Sequence, residues 1–224
     1  MKFVKPENWK SYEIYTLIGI YLIILANVII FNDSFIAGLS AFFGITYTFL
    51  AGKGSPKCYI FGVSGSGLYS WLSFSNHFWG NLILYMCYYI PMQITGFFKW
   101  NKNLKANKSE IIKTKMSKKE TLILYSTTIL LSILVIIILK ITSSKNPYID
   151  GITTVFSVTG MYLTVKRSIE QWVIWMIVNG LSAIMWAELA FAGEKVYSTV
   201  LMWTVYFCLS VYFYFEWKKE INNN

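Results

Sequence analysis

Apolar residues along this chain gather in runs of roughly 17 to 25, separated by short polar or basic segments; that length crosses a hydrocarbon core of about 30 Å. Eight runs can be drawn, at about 14–31, 34–51, 58–75, 79–98, 120–140, 150–165, 171–190 and 196–217. The third is rich in Gly and Ser, and the sixth, GITTVFSVTGMYLTV, is short and Thr-rich, so hydropathy alone does not select it. Charge does. With eight spans and an internal N-terminus, seventeen of the twenty Lys and Arg residues fall on one side, in both tails, the 52–57 loop, the 99–119 loop and the 166–167 turn. Only Lys140, Lys145 and Lys195 fall on the other. Omitting the sixth span would invert everything after it and spoil the bias, so the pattern predicts eight transmembrane helices with both termini cytoplasmic.

Composition supports the membrane reading: 55% of the 224 residues are hydrophobic and 14% charged, too few charges to cover a soluble globule. The net charge of +9 does not point to nucleic acid, because eight of the basic residues lie between Lys99 and Lys119, where a loop beside an anionic leaflet accounts for them. Cys58, Cys87 and Cys208 lie within apolar runs, odd in number and without CxxC spacing, so neither a disulfide framework nor a zinc site is supported. No small-residue cleavage site follows the first run, which reads as a retained helix.

An internal repeat organises the spans. GLSAFFGITYTFLAGKGS from Gly38 matches GITTVFSVTGMYLTVKRS from Gly151 through Gly38/Gly151, Phe43/Phe156 and Ser55/Ser168 at an offset of 113. Gly65/Gly180 and Trp71/Trp186 follow at 115, then Leu84/Leu201, Tyr89/Tyr206, Phe98/Phe215 and Trp100/Trp217 at 117. The offset grows as loops lengthen. Each copy has three helices, and three is odd, so one linker helix must restore orientation. The result is a 1+3+1+3 layout of two parallel three-helix bundles about an axis along the membrane normal, with a substrate site between them. The corresponding divisions are an N-terminal tail and extra helix (1–33), repeat 1 (34–100), a basic loop (101–119), a linker helix and outer loop (120–149), repeat 2 (150–217) and a C-terminal tail (218–224). The first helix, outside the repeat, reads as peripheral or as an oligomer contact.

The repeat interface carries the candidate chemistry. Trp172, Trp175, Asn179, Ser182 and Trp186 recur at helical spacing on one face, as do Tyr89, Gln93, Gly96 and Trp100; Asn81, Tyr85, Tyr88 and Met92 form a neighbouring stripe. Trp100, Trp217 and Trp172 lie near helix ends, where an interfacial aromatic belt accounts for them. Asn179 and Gln93 lie within the bilayer, where an amide needs either an inter-helix bond or a polar ligand. Aromatic rings beside amides suit a flat heterocycle bearing hydroxyls, and an aromatic face favours a cationic ring. No Asp, Glu, Lys or Arg lies at mid-depth in any span, and there is no phosphate loop. His77 alone makes neither a metal site nor a catalytic dyad. No cofactor, enzyme activity or energy input is therefore expected, and passive exchange is the simplest reading.

IEQWVIWMIVNGLSAIMW, preceded by YIDGITTVFSVTGMYLTVKRS, resembles the signature of the bacterial nicotinamide riboside transporter (PnuC) family through Asp150, Ser157, Glu170, Trp172, Trp175 and Asn179. PMQITGFFKW resembles its P-x-Q-x-x-G-x-x-x-W block through Pro91, Gln93, Gly96 and Trp100. The resemblance runs from about residue 34 to 217. It implies a SWEET-like fold in the bacterial inner membrane, facilitated diffusion of nicotinamide riboside, trapping by a cytosolic riboside kinase that feeds NAD synthesis, and a homo-oligomer, expected as a trimer. On this reading Trp175 and Trp186 stack the nicotinamide ring. Asn179 and Gln93 bond its carboxamide or ribose, assisted by Tyr89 and Asn81. Asp150 and Trp172 serve as gate or entrance residues, Asp150 by attracting the cationic ring or by capping its helix. Riboflavin, thiamine, a nucleoside or a sugar remain alternative cargoes on the same fold, and a non-transporting sensor or assembly subunit is the alternative of another class.

Overall fold

The computed structural model describes residues 9–30, 34–75, 79–106, 109–141, 147–194 and 196–223, apart from the side chains of 72, 73, 75 and 79–81. His77, Lys145, Lys195 and the Asn81 side chain lie outside that set. The described chain is helical: α1 (Ser11–Ile30), α2 (Phe35–Gly52), α3 (Cys58–Ser75), α4 (Trp79–Leu84), α5 (Ile90–Asn101), α6 (Lys118–Ile141), α7 (Pro147–Val165), α8 (Glu170–Phe191) and α9 (Tyr197–Asn223). Helices α1, α2, α6, α8 and α9 are each long and apolar enough to cross a membrane. This is an all-helical membrane protein. The Gly and Ser of α3 and the Thr of α7 hold those two helices below that hydropathy.

The run drawn at 79–98 is not one α-helix. Between α4 and α5 the five residues Tyr85–Tyr89 form a π turn, closed by the Ile90 N–H on the Tyr85 carbonyl. Pro91 supplies the reason. It has no N–H to donate and its ring crowds the carbonyl four residues back, and a wider turn just before it relieves both.

Helices α2 and α7 end alike. Gly54, past the end of α2, has φ +70, and Ser55 N–H donates to the Leu50 carbonyl at 3.0 Å. Past α7, Arg167 has φ +63, and Ser168 N–H donates to the Leu163 carbonyl at 3.0 Å. Both are left-handed caps, 113 residues apart. A non-glycine residue there costs about 1–2 kcal/mol, and Arg167 is held in place: its carbonyl accepts from Thr114 N–H at 2.9 Å and its Nη1 donates to the Ile112 carbonyl at 3.1 Å.

Packing closes a ring. Helix α2 packs on α3, α3 on α5, α5 on α7, α7 on α8, α8 on α9, and α9 back on α2. Helix α1 lies outside against α2 and α9, fixed by a Tyr21–Thr46 hydroxyl bond of 2.7 Å and a Glu13–Lys53 ion pair of 2.6 Å. Helix α6 lies outside against α7, where Thr128 and Thr159 hydroxyls meet at 3.1 Å. Much of the remaining α6 surface is exposed Leu and Ile, as a lipid-facing helix requires.

The basic segment between α5 and α6 is partly built into the fold, not simply a solvated loop. Ile111 N–H donates to the Gly54 carbonyl at 2.9 Å, and Thr114 takes the Arg167 carbonyl, so one short strap ties the two equivalent turns. Ile111 is fully buried. Lys113 pairs with Glu220 of α9, and Lys105 bridges Glu220 at 2.7 Å and Glu110 at 3.1 Å. Burial pulls the Lys113 ammonium below the usual lysine range, with Glu220 opposing the shift.

Candidate functional site

The ring encloses a cavity of about 1140 Å³ between its two halves. The basic end is closed by aromatic packing. Trp172 lies tilted on Phe213 with centroids 5.6 Å apart and meets the edge of Trp217 at 5.5 Å. Tyr59 stands edge-on to Trp100 at 5.1 Å, and a Cβ at Gly96 would overlap the Tyr59 ring, so this glycine is what admits it. At the opposite end Asp150, Glu188 and Ile83 line the cavity.

Trp100 and Trp217 are 0% exposed, which rules out the aromatic-belt reading for both. Each donates its Nε1–H to a main-chain carbonyl of the first helix in the opposite half: Trp100 to Thr164 at 2.9 Å, Trp217 to Gly52 at 2.6 Å. A buried indole N–H needs such an acceptor. These residues are seam bolts between the halves.

The sequence-predicted residues converge. Trp175, Asn179, Trp186, Gln93, Tyr89, Asp150 and Trp172 all line the cavity, while the Asn81 side chain is outside the described residues. Both amides already hold an inter-helix bond. Gln93 Nε2 donates to Ser66 Oγ of α3 at 3.0 Å, and Asn179 Nδ2 donates to Ser210 Oγ of α9 at 2.9 Å. Each is thus glue within its own half and faces the cavity as well. Beyond the bond to Ser210, Asn179 still has a second amide hydrogen and its Oδ1 to offer. The Trp175 Nε1 donates to the Thr164 hydroxyl at 3.0 Å, and its ring lies against Gly160, where a Cβ would come within 3.0 Å of the indole. Trp175 therefore offers a π face and no donor. Trp172 is 2% exposed, at the floor of the cavity, and its Nε1 has no protein partner among the described residues.

Sequence reasoning missed part of the wall. Tyr89 stacks on Tyr85 at 4.8 Å and 27°, and Tyr85 lies 4.6 Å from Tyr69, giving a three-ring ladder beside the cavity. The sequence reading set Tyr85 on a neighbouring stripe, yet Tyr85 and Tyr89, four residues apart, both line the cavity. Tyr206 also lines the cavity, as its match to Tyr89 in the repeat would have indicated. Among the described residues, the charged ones on the lining are Asp150 and Glu188, both acidic. Among the described residues no group of His, Cys, Asp and Glu is placed to hold a metal ion.

Comparison with known proteins places this arrangement. A family described as "Nicotinamide mononucleotide transporter" matches residues 34–219, leaving α1 outside the match. The chain is 32% identical to the nicotinamide riboside transporter PnuC of Neisseria mucosa, over 97% of this chain and 84% of that protein. It is 27% identical to the protein of the same name from Haemophilus influenzae, over 96% of this chain and 93% of that one. A crystal structure of the vitamin B3 transporter PnuC superposes with a TM-score of 0.84 at 28% identity, covering 96% of this chain and 94% of the other.

Proposed function

Because this chain belongs to the nicotinamide mononucleotide transporter family, and is a transporter rather than an enzyme, we propose that its cargo is nicotinamide riboside. The observation that carries the choice between riboside and mononucleotide is the charge of the cavity wall. Among the described residues its two charged side chains are carboxylates, and none is Lys or Arg. A phosphate entering there would lose water without gaining a cation, whereas a pyridinium ring gains aromatic faces and two distant carboxylates. The names of the two relatives point the same way.

In this reading the pyridinium ring stacks on Trp175 and Trp186. Asn179 Oδ1 and Gln93 accept from the carboxamide or ribose, and Tyr89 and Asn81 complete the polar set. Asp150 draws the cation to the mouth, and Trp172 closes the floor.

The proposed architecture is eight membrane-spanning segments in a 1+3+1+3 layout, with repeats 34–100 and 150–217 rocking about the central site and α6 as linker. Supporting it are the closed ring of helix contacts, the paired left-handed caps and the reciprocal indole bonds. Both termini and the basic strap face the cytoplasm across the inner membrane, placing the strongly basic end beside anionic lipid. Transport is facilitated diffusion by a homo-oligomer, drawn inward by phosphorylation of the riboside in the cytosol.

Direct titration of purified protein tests the cargo: nicotinamide riboside, nicotinamide mononucleotide, riboflavin and thiamine, each followed by calorimetry and by counterflow in proteoliposomes. Saturable binding and counterflow of the riboside alone is expected. Binding of the mononucleotide at equal affinity would overturn the charge argument.

A further inference from the structure

Thr164 occupies a position that the transport reading does not use. It is 1% exposed, the penultimate residue of α7 at its basic end, and lines the cavity floor. Its hydroxyl accepts the Trp175 Nε1–H at 3.0 Å and donates to the Gly160 carbonyl at 2.8 Å. Its carbonyl accepts two donors: Arg167 N–H at 2.9 Å, from the left-handed cap that the strap grips, and Trp100 Nε1–H at 2.9 Å, from the opposite half. One residue thus joins the ring-stacking tryptophan of the cavity to the seam that closes the basic end.

The other seam lacks this connection. At the repeat offset of 113, Ala51 stands where Thr164 does, and Ile60 stands where Trp175 does at the offset of 115. Trp217 bonds the Gly52 carbonyl there, with no side-chain hydroxyl leading on to the cavity. Each seam has an indole bond, with acceptors one residue out of repeat register, and only one seam has a cavity tryptophan tied to it.

We propose that Thr164 is a positioning residue that couples cargo on Trp175 to the opening of the α5–α7 seam, so that release begins at that seam and not at α2–α9. This rests on the reading that Trp175 stacks the cargo. A ligand that shifts the Trp175 ring pulls on the Thr164 hydroxyl, and the same residue's carbonyl holds Trp100. Once Trp100 is released, α5 is free to part from α7, whereas Trp217 and Gly52 keep α9 on α2 as the pivot.

The test is a rate cycle in proteoliposomes, using exchange of labelled nicotinamide riboside at saturating concentration on both sides. Thr164→Val keeps the shape and the carbonyl and removes only the hydroxyl. It is expected to slow saturated exchange about fivefold, the equivalent of one hydrogen bond, with the half-saturating concentration changed less. Thr164→Ser, which restores the hydroxyl, is expected to stay within about twofold of wild type. Trp100→Phe removes the seam bond itself, so adding Thr164→Val to it should slow exchange no further. If Thr164→Val slows exchange by the same factor with Trp100 present or replaced, or alters only the half-saturating concentration, the coupling is overturned. Equal loss in the Ser and Val variants would overturn it too, by showing a packing role. Wild-type vesicles that exchange no riboside would overturn the cargo reading first, and the coupling with it.

Discussion

Replacing Asn179 separates an amide that serves cargo from one that serves packing. One hydrogen of its Nδ2 is committed to Ser210 Oγ at 2.9 Å, and the side chain also lines the cavity, where the proposed site has its Oδ1 accept from the cargo. In Asn179→Ala the cargo loses one neutral hydrogen bond, worth about 1 kcal/mol, and keeps a buried donor with no acceptor, a further ~1–2 kcal/mol. Together these weaken riboside binding by roughly 30- to 150-fold. Ser210→Ala leaves the acceptor in place and removes only what orients it, about 1 kcal/mol or roughly a fivefold loss. Calorimetric titration of the three proteins in one detergent supplies the comparison, with thermal unfolding to confirm that each is folded. An Asn179→Ala affinity within threefold of wild type, or a larger loss from Ser210→Ala than from Asn179→Ala, would show the amide to be inter-helix glue.

Three further outcomes are expected. Gly96→Ala places a methyl group into the Tyr59 ring and should lower stability by about 1–3 kcal/mol, whereas Gly67→Ala, with nothing within 4 Å, should be neutral; thermal unfolding by size-exclusion chromatography compares them. Glu220→Gln leaves the Lys113 ammonium, 6% exposed, without its counter-charge. As Glu220 is itself 27% exposed, the loss should be about 1 kcal/mol, seen as faster tryptic cleavage of the strap. Asp150→Asn combined with Glu188→Gln should weaken riboside uptake about two- to fivefold at low ionic strength and little at high, since the two carboxylates act at a distance; uptake across a salt series checks the sign.

The helices were largely legible because the apolar runs have the length that a hydrocarbon core requires. The doubtful one, α7, was recovered from charge placement instead of hydropathy. The cavity residues were legible for a related reason: Asn179 and Gln93 are polar where polarity is expensive, and Trp175 and Trp186 share their face. What sequence could not supply was partnership. Trp100 and Trp217 lie at helix ends whether they face lipid or bolt two bundles together, and only the positions of the Thr164 and Gly52 carbonyls decide between these. Thr164 itself is an unremarked Thr in a Thr-rich helix. Ile111 and Lys113 sit in a basic stretch whose composition says surface, and they are buried because the strap meets turns far away in sequence. Chain-distant contacts of this kind leave no local periodicity to read.

The π turn at Tyr85–Tyr89 bears on the symmetry of the molecule. The sequence match between the halves runs through it unbroken, at an offset of 117 on either side, from Leu84/Leu201 to Trp100/Trp217. The backbone does not keep step. A π turn takes up one residue more than an α turn, and one residue is roughly 100° of helical phase. Residues before Tyr85 are therefore rotated by about that angle against their α9 counterparts, while those after Tyr89 remain in phase. Near the bolts, equal letters mean equal places; at the mouth they do not. The opening is in this way lopsided with no change of offset in the sequence to mark it, and swapping matched residues between the two segments at that end would exchange neighbours that do not correspond.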